Sequence, residues 1–481
     1  MKIELRNFGP IDRLQFDLNK DLHLIFGQNA IGKSYATYGI YCLIKNIKNK
    51  SFRNRYFYYR DLDTNDFHKF IKNTLKNRKK QQRIDLSLKY KTLIENELRL
   101  IILSGLQNSL RNTFSSLHNL KNRFTNKNFE FIIYLSDSEK IRIFADDEGT
   151  LDLEYLSKKN KLEFILKDTK TTKFSLYSDD KKQFGKGKED DFLIEFVRFS
   201  IGNVENILKR LDHDIRDIYY LPASRSGLYQ ALSAFTPMIA ELTQNRFFMQ
   251  NKSIELPSLS EPLSDYFIDL STVDKKNSNK EFTEVINFLE KEILKGAVKY
   301  DEKTKRILYL PQNVNLELNL SEASSMVAEL SPLVLYFKHI LNYKYSSLNP
   351  QDRFFFDGYY QRRSAPRGYD ILFVEEPEAH LHPEIQVKLI DLFVQLTNQK
   401  LKIFITSHSN YMFNKLNNLL IKKDIKENKV KVYHLVHTKE GTRDKKDMQV
   451  TQEGINDENF QDVSERLYFE RLNFLEGLND K

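Results

Sequence analysis

The sequence predicts an α/β fold built on a mixed sheet, with an antiparallel β subdomain and helical insertions. Three observations predict it. A strand, a glycine-bearing loop and a helix follow one another in LHLIFGQNAIGKSYATYGIYCLIKNIKNK (22–50), five short alternating runs lie between 129 and 177, and from 371 onward strand and helix alternate as in parallel sheets. Of the 481 residues, 40% are hydrophobic and 29% charged, a balance that allows a large core and argues against wholesale disorder.

Lys2 to Asn7 and Leu14 to Leu18 alternate apolar and polar around Gly9 and Pro10, which reads as a hairpin. Leu22 to Phe26 forms a third, more buried strand. From about Lys45 to Lys127 the chain is rich in Lys, Arg and Asn, and its Leu and Ile recur at helical intervals, so a helical insertion is expected. The runs FEFIIYL (129–135), KIRIFA (140–145), LDLEYL (151–156), LEFILK (162–167) and KFSLY (173–177) read as an antiparallel sheet. DFLIEFVRFSIGNVENILKRL is helical, DIYYLPASRSG (217–227) is a strand that stops at Pro222, and a mainly helical region runs to about Leu294. The strands AVKY, RILYL and VNLEL follow, and SEASSMVAELSPLVLYFKHILNY starts a helix. Past the basic loop QRRSAPRGY come the strand ILFVEE, the helix PEIQVKLIDLFVQL, the strand LKIFITS and a further helix.

Composition narrows the function classes. Cys42 is the single cysteine, so neither an internal disulfide framework nor a thiolate zinc site can be built. No apolar signal region opens the chain and no run reaches about eighteen uncharged apolar residues, so a cytoplasmic protein without a membrane segment is expected. The net charge of +9 leans mildly towards polyanions, nucleic acid among them.

Gly27, Gln28, Asn29, Ala30, Ile31, Gly32, Lys33 and Ser34 match the phosphate-loop pattern G-x-x-x-x-G-K-S between a strand and a helix, with Tyr35 next in the helix. Backbone N–H groups at a helix start present partial positive charge to phosphates, and glycine lets the backbone approach closely. Lys33 is expected to reach the β and γ phosphates of ATP, and the Ser34 hydroxyl to hold Mg²⁺. In ILFVEEPEAHLHP (371–383) four apolar residues precede two carboxylates, which suits a buried strand delivering acids to its C-terminal edge. Glu375 is expected in the magnesium shell, and Glu376 as the group that polarises the attacking water. His408 follows the strand KIFITS and is expected at the same edge as a γ-phosphate sensor. His380 and His382 beside Glu376 and Glu378 leave a metal cluster as an alternative, though the strand reading places them in a turn.

Ser34 and Glu375 lie farther apart in sequence than a compact P-loop kinase or small GTPase needs, so something large interrupts the nucleotide fold. E-E-P-E-A-H-L-H-P (375–383), I-T-S-H-S (405–409), Y-L-P-A-S-R-S-G (220–227) and S-S-M-V-A-E-L-S-P-L (324–333) resemble the ABC-type ATPases of the structural-maintenance, Rad50 and RecF kind. They resemble the overcoming-lysogenization-defect-like AAA group most of all. The resemblance implies an ABC/SMC-type P-loop NTPase head that binds ATP and Mg²⁺ and hydrolyses ATP. It divides the chain into 1–45 with the P-loop, a helical insertion at 46–127, the rest of that lobe at 128–222, a helical lobe at 223–369 and a C-terminal part at 370–481.

Carried over by position, Ser324, Ser325 and Glu329 resemble the signature helix that meets the γ-phosphate of a second subunit. Arg225 stands where such ATPases carry the glutamine of the Q-loop, and is expected to contact the nucleotide or the other lobe, or else to form a surface salt bridge. Ala30 replaces a frequent glycine and no glycine follows Ser325, departures that leave slow hydrolysis and a nucleotide-gated switch both open. No D-x-D pair in an apolar strand follows His408, so the Toprim nuclease of the longer relatives is not expected in this sequence. Short members such as the ATPase subunits of PARIS, Septu and retron systems act in antiphage defence. The resemblance therefore implies a homo-oligomer with ATP at its interfaces and a separately encoded effector, a nuclease. The competing reading is a RecF-like or Rad50-like DNA maintenance ATPase gripping DNA through NRKKQQR (77–83), and a third is a nucleotide-binding scaffold without turnover.

Overall fold

The computed structural model describes residues 1–51, 69, 73, 83–158, 162–166, 174–178, 183–187, 189–212, 215–231, 259–273, 280–341, 368–446, 448–455 and 467–473. The basic loop at 361–367 and all of NRKKQQR but Arg83 lie outside the described residues.

The chain opens with β1 (Lys2–Phe8) and β2 (Ile11–Asp17), the antiparallel hairpin that the alternation predicts. The third strand, β3 (Leu22–Gly27), has parallel neighbours on both sides, β16 (Leu401–Ser407) and β17 (Val430–Thr438). Beyond β16 lie β15 (Tyr369–Glu375) and β11 (Ile215–Leu221), also parallel. Five parallel strands thus stand in the order β11, β15, β16, β3, β17. The sheet turns mixed past β17, where β18 (Gly441–Asp444) pairs with it antiparallel and links it to β2.

The runs at 129–156, β5 (Glu130–Ser136), β6 (Glu139–Ala145) and β7 (Leu151–Ser157), extend this same sheet from β1. They do not share a sheet with the runs at 162–177, as the sequence led one to expect. β8 (Leu162–Leu166) and β9 (Phe174–Ser178) form a separate sheet with β10 (Gln183–Gly187) and β4 (Arg83–Asp85). Local alternation fixes which face a residue takes but not which edge a strand pairs with. β4 also shows that the insertion is not wholly helical, although its main described element is the helix Ser87–Phe114. A third small sheet joins β12 (Gly296–Asp301), β13 (Arg306–Pro311) and β14 (Leu318–Asn319).

The central strands are buried on both faces, as parallel strands covered by helices must be. Ile25, Tyr220, Ile371, Phe373 and Phe404 face one apolar cluster, which includes Ile40 and Ile44 of the helix Lys33–Ser51, Leu98 of Ser87–Phe114, and Leu208 of Glu189–Asp212. Leu24, Phe26, Leu372, Val374, Ile403 and Ile405 face a second, with the helices Ser325–Leu335, Pro383–Thr397 and Asn410–Ile421. Burial at about 25 cal/mol per Å² makes this two-sided packing the main reason the strand ends are rigid enough to hold a site. The helix at 325 gives way to a π-helical turn, Tyr336–Ile340. Among the described residues no helix is long and apolar enough to cross a membrane.

Candidate functional site

Because β3, β11, β15 and β16 are parallel, their C-terminal ends share one edge, the usual ligand edge of an open α/β sheet. Register brings the parts together. Glu375 pairs with Thr406, and Thr406 with Ile25, so the acid sits two residues short of Gly27 across the intervening strand.

The loop after β3 has a shape that its glycines permit. Gly27 has φ +154° and a Cβ there would lie 2.9 Å from the Leu435 carbonyl oxygen; Gly32 has φ +101° and a Cβ would lie 2.7 Å from Pro10 Cγ. The β1–β2 turn therefore packs directly under the loop. Ala30 takes a left-handed φ of 58°, which explains why glycine is frequent at that position in related loops. Ile31 is buried and its carbonyl accepts from Thr442 Oγ1 at 2.7 Å, while Gln28, Asn29 and Ala30 are exposed. Tyr35 packs on Phe114, and its hydroxyl accepts from Arg123 at 2.5 Å.

Lys33 opens the helix with its ammonium folded back on the loop, donating to the carbonyls of Gly27 (3.1 Å) and Gln28 (2.9 Å). Burial pushes its pKa down, opposed by the charges of Glu376, Glu378 and Glu375. Ser34 is exposed, and its side chain and that of Tyr220 lower the Glu375 pKa against the effect of burial. The Tyr220 hydroxyl also lies 2.9 Å from Thr37 Oγ1, so one tyrosine ties the loop helix to the acid. Burial pushes the Glu375 carboxyl up, and its Oε1 has no hydrogen-bond partner. An orphaned buried carboxylate oxygen beside a serine hydroxyl is the hard-oxygen donor set that Mg²⁺ takes, with phosphates and water completing its shell. The residues therefore fit the ion.

Glu376 follows the strand with φ 41°, a left-handed backbone that turns its side chain out of the sheet edge. Its Oε1 lies 3.6 Å from His408 Nε2. Burial and the Lys33 charge push the His408 pKa down, with Glu376 opposing them. The loop lysine, two acids and the histidine thus converge at one edge.

A model of the AAA ATPase domain family, AAA_15, matches residues 1–413. The chain belongs to the AAA ATPase domain family. No curated protein matches it. Solved structures similar to this AAA ATPase chain include a Smc head bound to the C-winged helix domain of ScpA, at 12% identity over 92% of this chain and 95% of that one, TM-score 0.36. The SMC head domain from Thermotoga maritima is similar at 8% identity over 92% and 96%, TM-score 0.30. A Smc head domain with an extended coiled coil, bound to the C-terminal domain of ScpA derived from Pyrococcus furiosus, follows at 11% over 98% and 98%, TM-score 0.32. Scores at this level add nothing to the strand order described above.

Of the expected nucleotide contacts, Arg225 takes the interlobe position and Glu329 is turned inward. Arg225 is buried, not a surface salt bridge, and donates to the carbonyls of Pro222 and Glu375, both at 2.9 Å, and through Nε to that of Glu329 at 3.0 Å. Glu329 accepts from the Arg225 and Ser226 backbone N–H groups at 3.1 and 3.2 Å and from Ser226 Oγ at 2.5 Å. A carboxylate so enclosed cannot touch a second subunit's phosphate from this position. It holds the helix Ser325–Leu335 to the end of β11 instead. Ser324 and Ser325 are exposed at the start of that helix, where Ser324 Oγ caps the Val327 N–H at 3.5 Å.

His382 caps the helix Pro383–Thr397, and among the described residues no group of three or more His, Cys, Asp or Glu is arranged to hold a metal. Sequence reasoning gave no role to Tyr220, Thr37 or Ser407 and took Glu378 only as a neighbour of a possible metal cluster. Tyr220 and Ser407 carried a signal, since each lies inside a motif already singled out, Y-L-P-A-S-R-S-G and I-T-S-H-S.

Proposed function

We propose that this edge binds ATP with Mg²⁺ and hydrolyses it. The supporting observation is the convergence of Lys33, Ser34, Glu375, Glu376 and His408 from three separate strand ends. Backbone N–H groups of the loop and the helix start cradle the phosphates, and Lys33 exchanges its loop carbonyls for phosphate oxygens. Ser34 and Glu375 hold Mg²⁺, which when bound draws charge from the phosphate oxygens. Glu376, half-exposed at the open side, accepts a proton from the attacking water. His408, with its pKa held down and therefore neutral near pH 7, orients that water or the γ-phosphate.

Two copies complete the site, with the exposed helix start at Ser324 and Ser325 of each meeting the phosphate held by the other. Arg225 and Glu329 carry this contact to the carbonyls behind Glu375, so that nucleotide occupancy and lobe position are coupled. The motif resemblance supports a role for this switch in antiphage defence, controlling a separately encoded effector, a nuclease. Phosphate release measured against protein concentration tests the composite site: the rate per chain rises with concentration, and a constant rate at all dilutions contradicts it. Phage plating on cells carrying the gene with and without its neighbours tests the setting.

A further inference from the structure

We propose that Glu378 is a positioning residue for hydrolysis, its half-buried carboxylate clamping the backbone at His408 so that the imidazole faces Glu376. The proposal rests on the nucleotide-hydrolysing reading above and names a residue that reading does not use.

Glu378 lies in the turn between β15 and the helix Pro383–Thr397, two residues after Glu376. One oxygen, Oε1, takes two bonds from the end of β16: the His408 backbone N–H at 2.5 Å and Ser407 Oγ at 2.9 Å. Its other oxygen, Oε2, has no partner. The clamp continues outward. Ser407 Oγ accepts the Ser409 N–H at 3.0 Å, Ser409 Oγ donates to Gln386 Oε1 at 2.5 Å, and Gln386 Nε2 donates to the Leu381 carbonyl at 2.9 Å. The turn itself is pinned to the neighbouring strand by the Glu376 N–H on the Thr406 carbonyl at 2.9 Å.

Glu376 and His408 therefore sit on two different loops, and beyond the Glu376 N–H bond to Thr406 this carboxylate is the group that bonds directly to the backbone at His408. The strand pairing ends at Glu375 with Thr406, so beyond it the ladder no longer fixes the register of the two side chains. What the clamp needs is an acceptor of glutamate length and not a charge. Glutamine supplies the same oxygen; alanine leaves both donors without it.

The test uses the full chain as wild type, Glu378→Gln and Glu378→Ala, with ATP affinity, steady-state phosphate release and hydrogen exchange of the His408 amide. Glu378→Ala is expected to lower kcat at least tenfold at a KM and ATP affinity within about twofold of wild type, the signature of a lost transition-state arrangement. Its His408 amide exchanges at least about tenfold faster. Glu378→Gln restores both readings to within about threefold of wild type. Unchanged kcat in Glu378→Ala, or a Glu378→Gln variant as inactive as Glu378→Ala, overturns the proposal, the second because the carboxylate then acts by charge. Should Glu378→Ala not fold, Ser407→Ala removes one donor and is expected to lower kcat by about threefold at unchanged KM; no change there is equally fatal. If the wild type neither binds nor hydrolyses ATP, the nucleotide reading fails by itself, while the His408 exchange still reports whether the clamp exists.

Discussion

Arg225 and Glu329 meet with their charged groups 3.3 Å apart, at 2% and 0% exposure, between the end of β11 and the helix Ser325–Leu335. Removing one partner leaves the other charge buried without compensation. Glu329→Ala is therefore expected to lose about 3–5 kcal/mol of stability in urea unfolding. Ser325→Ala, at an exposed position, stays within about 0.5 kcal/mol of wild type yet lowers hydrolysis. Equal effects of the two on stability would show that the buried pair does not hold the lobes.

Glu376→Gln keeps the turn and removes the proposed proton acceptor. Phosphate release should fall by about 10²–10⁴ while ATP stays bound and the dimer lengthens its lifetime in size-exclusion runs with MgATP. An unaltered hydrolysis rate would place the base elsewhere.

Gly32→Ala puts a Cβ 2.7 Å from Pro10 Cγ at φ +101°. The loop must shift to admit it. ATP affinity is expected to drop by at least about tenfold in calorimetry, roughly 1.4 kcal/mol, with the fold retained in far-UV circular dichroism. Wild-type affinity would mean that the loop tolerates a second shape.

His23 lies far from the nucleotide edge, stacked on Phe404 at 3.9 Å between ring centres with its Nδ1 3.1 Å from the Tyr433 hydroxyl. Burial pushes its pKa down to about 3. The unfolded chain therefore binds a proton at His23 below about pH 6.5 that the folded chain refuses, so this contribution is present above that pH and is lost as pH falls towards 3, by about 1.4 kcal/mol per unit. His23→Phe keeps the stack and removes the titration. It should be less stable at pH 7 through the lost Tyr433 bond, and show a shallower loss of stability between pH 6 and 4.5. Parallel pH profiles would show that His23 is not the group responsible.

The parts of the site that lie within one local run were legible in the sequence. Gly27 to Ser34 stands between its own strand and helix, and Glu375 and His408 end strands whose apolar runs mark them as buried. The pairing partners were not legible. β5 joins β1 and β4 joins β8 by edge choices that leave no local pattern, and Arg225 meets Glu329 across a hundred residues of intervening chain. Glu329 read as an outward signature residue because helical spacing alone does not say which face another loop will cover. Its companions Ser324 and Ser325 precede the first buried turn and stayed outside.

The central claim is that the loop ending in Lys33 and Ser34 holds the phosphates of ATP. Isothermal titration of MgATP into wild type and Lys33→Ala tests it most directly. The account predicts saturable one-site binding by the wild type and at least about a hundredfold weaker binding by the variant, near 2.7 kcal/mol. Equal affinity of the two proteins would contradict it.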